Sequence, residues 1–160
     1  MHLRIPRPFR GRALHASSAE FENPLPVPCR IAIIAPNYQE KNGVRTFDES
    51  QVPDIQNYRP EILVGTVAGL LRLAPALRVS RAVVAFSGAR LGPLTGRHRD
   101  LLWQAFQVPI FEHSLGPDGS VVARECEAHQ GLHLYLPRHH HGPLDPEPCP
   151  CGRPEPLIGS

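Results

Sequence analysis

Three cysteines and a group of histidines crowd the last third of this chain. Cys126, Cys149 and Cys151 all fall between residues 109 and 158, interspersed with His129, His133, His139, His140 and His141. Thiolate sulfur and imidazole nitrogen are the donors that zinc takes four at a time, tetrahedrally, at about 2.0–2.3 Å. In Cys149-Pro150-Cys151-Gly152 two sulfurs flank a proline, and a glycine then turns the backbone. A disulfide between residues two apart is strained, so this pair reads as metal ligands. Cys126 supplies a third thiolate. The fourth ligand has several claimants: His129 at C-x-x-H spacing from Cys126, His133 beyond it, and the three histidines of the connecting loop. The competing reading is of reduced thiols beside surface histidines, because a lone C-x-C is less specific than paired C-x-x-C. A closed four-ligand zinc site is structural, not catalytic. It would also anchor a long loop that is costly to order unaided.

Two other chemistries use the same stretch. Cys126 with His113 or His129 has the residue types of a Cys–His nucleophile, which needs an exposed thiolate and an oriented base. Ligand spacing accounts for these residues more simply. Asp118 is a magnesium-ligand candidate, but it sits in Gly116-Pro117-Asp118-Gly119, which is turn chemistry without any metal.

Apolar runs at 31–35, 62–64, 82–86 and 109–111 read as buried strands. Helical spacing of Val67, Leu70, Leu71, Ala74 and Leu77 predicts a helix over about 66–77. A second helix follows a Thr95 cap, with Leu101, Leu102, Ala105 and Phe106 on its inner face. Asp48 is placed to cap a short helix running toward Tyr58, and residues 37–46 read as a polar turn around Asn42-Gly43. Cys29, just before the first strand, reads as buried, and Trp103 as a helix residue at the rim of the core. Strands alternating with helices imply right-handed crossovers. The expected fold class is α/β: a mostly parallel sheet with flanking helices, plus a C-terminal strand pair at 120–124 and 132–136 and a Cys/His zinc knuckle. The expected organisation is a Pro/Arg-rich arm over 1–28, an α/β domain over 29–136, and a His/Pro-rich loop with the knuckle over 137–160.

Composition bounds the partners. The 160 residues are 41% hydrophobic and 20% charged, which is globular. A net charge of +2 is too small to imply a polyanion partner. Arg4, Arg7, Arg10 and Arg12 form a basic arm, but no aromatic stacking pattern accompanies them, so nucleic acid is not the expected partner. There is no apolar stretch of transmembrane length and no signal-peptide core, which makes a reducing cytoplasm the expected compartment. There, clustered cysteines favour metal.

The chain resembles the phenylacetate–coenzyme A ligase family of the adenylate-forming superfamily. Glu125-Cys126-Glu127-Ala128-His129-Gln130-Gly131-Leu132-His133 is similar to that family's E-C-x-x-x-x-G-L-H stretch, and Cys149-Pro150-Cys151-Gly152-Arg153 to its C-x-C-G-R loop. Tyr58–Gly65 looks like a family strand leading into a helix, and Gln107–Phe111 like the strand before its adenine motif. The resemblance covers roughly 57–158 and implies His133 as the fourth zinc ligand. Ser87 and Gly88 fall where the family has a turn beside its acyl pocket, and Gly116 and Asp118 where it contacts adenine and magnesium. Those four are the candidate cofactor-binding residues, as remnants of a pocket. The Ser/Thr/Gly-rich phosphate loop with its lysine is absent, since Lys41 is the only lysine, and the ribose-binding Gly-Asp pair is absent too. Adenylation depends on positioning a triphosphate and neutralising its charge. The expectation is therefore a truncated relative that binds structural zinc, lacks ATP/Mg and CoA, and is not a competent ligase by itself. The alternatives are an active or split carboxylate–CoA ligase, with a protein partner carrying the missing parts, and a small zinc protein associated with nucleic acid.

Overall fold

The computed structural model describes residues 19–158. The four arginines of the N-terminal arm lie outside them. The elements, in order, are β1 (Ile31–Ile33), β2 (Val44–Thr46), α1 (Val52–Tyr58), β3 (Ile62–Thr66), α2 (Val67–Leu73), β4 (Ala82–Gly88), α3 (Gly96–Phe106), β5 (Ile110–Leu115), β6 (Val121–Glu125), β7 (Leu132–Leu134), a 3-10 turn at Pro137–His139, β8 (Leu144–Asp145) and β9 (Leu157–Ile158).

One sheet takes all nine strands, in the order β2-β1-β3-β4-β5-β6-β7-β9-β8. The expectation of a mostly parallel sheet is corrected. The first five strands pair in parallel, and the four pairings from β5 onward are antiparallel. The cause is loop length: a parallel return needs a crossover of a dozen or more residues. Residues 116–120 are too few, so β6 folds back on β5, with Gly116 N–H donating to the Ser120 carbonyl at 2.8 Å. The polar stretch 37–46 hides a strand, β2, which adds to β1. Gly43 allows this, because a Cβ there would lie 2.7 Å from the Cys29 carbonyl oxygen.

Local signals place the helices. Thr95 caps α3 by accepting from His98 N–H, and the His98 side chain returns the bond to the Thr95 N–H. Thr66 caps α2 through Gly69 N–H. Asp48 does not cap α1: its carboxylate accepts from Ser50, and the helix begins at Val52 with Pro53 in its first turn. The buried apolar side chains of the three helices, Ile55, Leu70, Leu73, Leu102 and Phe106, pack on one face of the sheet against Ala32, Leu63, Val83 and Ala85. The helices therefore flank one side. The other face (Ile33, Ile62, Val64, Val84, Phe86, Phe111) is covered by non-helical chain that contributes Phe21, Leu25 and Tyr38. Cys29 is buried in this second core, as expected, while Trp103 is 54% exposed on α3.

His113 enters this second core from β5. It is 1% exposed, stacks on Phe21 at 5.1 Å, and neither of its ring nitrogens has a partner. Burial, and then the Arg124 charge on the neighbouring strand, push its pKa down to about 3. A buried neutral imidazole resists a proton that the unfolded chain accepts near pH 6.5. Its contribution is thus complete above about pH 6.5 and is lost as pH falls toward 3.

Two outcomes follow. Val84 is fully buried between Val64 and Phe111 of the neighbouring strands, so Val84→Asp strands a charge in the core. It should cost on the order of 4 kcal/mol or more in a urea titration. A cooperative variant within about 1 kcal/mol of the parent would remove β4 from its central place. Between pH 6.5 and 4 the parent should lose stability relative to His113→Phe by about 1.4 kcal/mol per pH unit. Parallel pH profiles for the two proteins would show that His113 does not stay neutral.

Candidate metal centre

The antiparallel extension brings four soft donors to one point. Sγ of Cys126, Cys149 and Cys151 and a ring nitrogen of His133 all lie within 4.8 Å of one another, and among the described residues no other such group forms. Cys126 directly follows β6. His133 stands in the middle of β7, paired with Arg124 on one side and Leu157 on the other. Cys149 and Cys151 arrive from the tail, which β9 returns to the sheet.

Two distances resemble the edges of a tetrahedron. Around zinc, sulfur–sulfur edges are about 3.8 Å and sulfur–nitrogen edges about 3.6 Å. Cys126 Sγ and Cys149 Sγ are 3.6 Å apart, and Cys151 Sγ lies 3.3 Å from His133 Nε2. A disulfide would need about 2.05 Å, and all four cysteines are free. His133 Nδ1 lies 2.9 Å from the Glu155 carbonyl. A carbonyl only accepts, so Nδ1 carries the proton and Nε2 keeps its lone pair toward the sulfurs, as a ligating histidine requires.

Two of the three sulfurs sit on tight turns whose backbone points a donor at them. Ala128 N–H donates to Cys126 Sγ, and Arg153 N–H to Cys151 Sγ, both at 3.4 Å. His129 N–H closes the first turn on the Cys126 carbonyl, and Gly152 N–H closes the second on the Cys149 carbonyl, each at 3.1 Å. Gly152 takes φ +76°, which costs a glycine nothing. Arg153 and Glu127 join the two turns through an ion pair of 2.7 Å.

The electrostatics ask for a cation. His133 is 0% exposed, Cys126 2% and Cys149 7%. Burial pushes the Cys126 thiol up to about 11. Burial also opposes ionisation of Cys151, but the Arg153 amide and the neighbouring sulfurs outweigh it and bring that thiol down to about 7. Three neighbouring sulfurs do not ionise together in such a place without a counter-charge, and a divalent metal supplies one. The four residues could hold a metal.

The other candidates lie elsewhere. His129 is turned away: its Nδ1 pairs with Glu125 at 2.8 Å, and its ring packs on Phe111. His140 Nε2 lies 3.4 Å from the Pro143 carbonyl, outside the cluster. Ser87 is buried and donates to Glu112 Oε1 at 2.5 Å. Gly88 lies against the Leu115 carbonyl, 2.1 Å from where a Cβ would stand. Asp118 accepts from the Ser120 N–H and hydroxyl at the hairpin tip. The hairpin and the β4–β5 pairing thus take up the polar atoms of these residues.

Sequence reasoning missed a second network. Arg99 reaches both Glu112 (3.1 Å) and Glu125 (3.0 Å), and Glu125 also accepts from the Glu112 N–H. It joins α3, β5 and β6 one residue before Cys126, so it sets where the knuckle starts. The alternation of β5 and β6 carried the signal, placing Glu112 and Glu125 on the helix-covered face.

No family model and no curated protein matches the chain. Among solved structures, it is similar to an open conformation of 2-hydroxyisobutyryl-CoA ligase in complex with 2-HIB-AMP and CoA, at 11% identity and a TM-score of 0.48, over 67% of this chain and 30% of that one. It is also similar to IdnL1, at 12% identity and a TM-score of 0.36, over 61% of this chain and 25% of that one. The chain therefore spans less than a third of either. At these values the likeness is one of partial chain path and extends no activity to this protein.

Proposed function

We propose that this chain is a zinc-stapled relative of the phenylacetate–coenzyme A ligases, with a structural metal held by Cys126, His133, Cys149 and Cys151, and that it does not form acyl-adenylates alone. The observation that carries the reading is the convergence of three thiols and one imidazole within 4.8 Å, the imidazole oriented by a backbone carbonyl. Three sulfurs and one nitrogen gathered within 4.8 Å favour zinc over the hard cations, which prefer oxygen. Four protein ligands close the coordination sphere, so the metal's task is to hold chain. What it holds is the tail, where, among the described residues, Leu157 is the only buried aliphatic side chain.

The ligase part of the reading rests on sequence. The E-C-x-x-x-x-G-L-H and C-x-C-G-R stretches supply the four ligands, in an order and context similar to the family's. No Ser/Thr/Gly-rich loop with a following lysine occurs in these 160 residues to receive a triphosphate. Ser87, Gly88, Gly116 and Asp118 are read as remnants of an acyl and nucleotide pocket, now committed to the sheet and its hairpin.

Elemental analysis of purified protein should find about one zinc per chain. Chelation should make residues 137–158 protease-sensitive while the α/β core still melts cooperatively, because structural zinc contributes on the order of 10 kcal/mol or more at neutral pH. Cys126→Ser should act like the chelator, and Cys29→Ser should not. Metal-free protein with an ordered, resistant tail would end the zinc reading. Separately, ATP–pyrophosphate exchange should be absent for the chain alone. Exchange by the pure chain would overturn the inactive reading, while exchange only after adding lysate would point to a partner that supplies the missing parts.

A further inference from the structure

We propose that the thiol cluster is a peroxide-sensitive switch, in which Cys151 is the sulfur attacked and Cys126 the sulfur that resolves it. Oxidation then replaces a metal staple with a disulfide staple. The proposal rests on the zinc reading only for the starting state.

The three sulfurs share one centre but not one environment. Cys126 and Cys149 are buried at 2% and 7% exposure, whereas Cys151 is partly exposed. Gly152 follows it and brings no side chain to cover it. The Arg153 N–H at 3.4 Å points at this sulfur and stabilises its anion. A metal-bound thiol is already deprotonated, so access rather than ionisation ranks the three. Cys151 is the sulfur that a small hydroperoxide reaches first. Cys29 is also buried and lies in the second core, away from the cluster.

The first step forms a bond from Cys151 sulfur to one peroxide oxygen and breaks the O–O bond. The second oxygen leaves as hydroxide, takes a proton and becomes water. Cys151 is then a sulfenic acid. In the second step the Cys126 sulfur attacks the Cys151 sulfur. The S–S bond forms, the S–O bond breaks, and hydroxide again leaves as water with a second proton. In total, two thiolates, one hydrogen peroxide and two protons give one disulfide and two waters. The sulfur pair loses two electrons, and the peroxide gains them. Cys149 is the other sulfur within reach, but it stands two residues from Cys151, where a disulfide is strained. Cys126 comes from a different turn and meets no such ring strain.

The consequence for the metal is direct. A zinc ion that loses two of its four donors is left with Cys149 and His133, and it dissociates. The tail is not freed, because Cys126 lies on the sheet and Cys151 on the tail, so the new bond ties the same two pieces together.

The test uses the full chain, zinc-loaded, with one equivalent of hydrogen peroxide. A metallochromic dye follows zinc, and differential alkylation with fragment-level mass spectrometry maps the thiols. One zinc should be released per disulfide, the bond should join Cys126 to Cys151, and Cys149 and Cys29 should remain alkylatable. Cys149→Ser should still form the disulfide, whereas Cys151→Ser should slow oxidation of the remaining cluster thiols about tenfold or more. Limiting iodoacetamide on the parent protein should label Cys151 first, a readout that needs no variant to fold. A bond between Cys126 and Cys149, prior oxidation of Cys29, or equal oxidation rates in Cys151→Ser would each overturn the proposal. The same mapping on chelator-stripped protein separates it from the staple reading. A chain isolated without zinc that still forms the Cys126–Cys151 bond defeats the zinc assignment and supports the switch.

Discussion

Both halves of the sheet hang on the six-residue parallel pairing of β4 with β5, from Val83–Ile110 to Gly88–Leu115. On one side of it lie three further parallel strands, and on the other the antiparallel strands beside which the four Cys and His donors gather. The pairing can run to its last residue because Gly88 has no Cβ, where any other residue would drive one into the Leu115 carbonyl. Its first residues bury Val83, Ile110 and Phe111 in the two cores, and its last residues lead into the hairpin that reverses the chain. The position of Cys126 is thus inherited from a strand pair that contains none of the four clustered donors.

The parts of this arrangement that were legible in the sequence are those with strong local chemistry. Ala82–Phe86 is a continuous apolar run and Thr95 is a capping residue; the run lies within β4 and Thr95 caps α3, where the structure adds the reciprocal His98 bond. The three clustered thiols were legible because soft donors are scarce, while spacing alone left the histidine open. Less legible were strands defined by a partner rather than by themselves. Val44–Thr46 is a strand because Gly43 lets it reach β1, and Leu157–Ile158 because His133 and Leu132 offer an edge. Two residues carry no periodicity, so nothing local announced β8 or β9. The change from parallel to antiparallel pairing could be inferred only from counting the residues between β5 and β6, a matter of reach rather than of composition.

The choice of His133 over His129 shows what spacing leaves open. His129 is closer to Cys126 in sequence, but it adopts φ +51° at the end of a tight turn, and its ring goes to Glu125 and Phe111. His133 lies on a strand whose alternation points it into the cluster. There the tail's own Glu155 carbonyl fixes its tautomer. The tail therefore contributes more than its two sulfurs, because it also orients the one nitrogen.

That reciprocity bears on the order of events during synthesis. Chains emerge from the ribosome N-terminus first, and domains begin to fold before they are complete. The strands through Leu115 and their helices can pack as soon as they appear. Cys126 and His133 then wait, two donors on an open edge, while β7 shows unpaired backbone to solvent. Cys149, Cys151, the Glu155 carbonyl and β9 all arrive within the next 25 residues and complete the centre and the edge together. A ribosome paused shortly before that point would hold a folded sheet with two of the four donors in place. Such an intermediate is open to pairing with another nascent chain, and the arrival of residues 149–158 is what closes it.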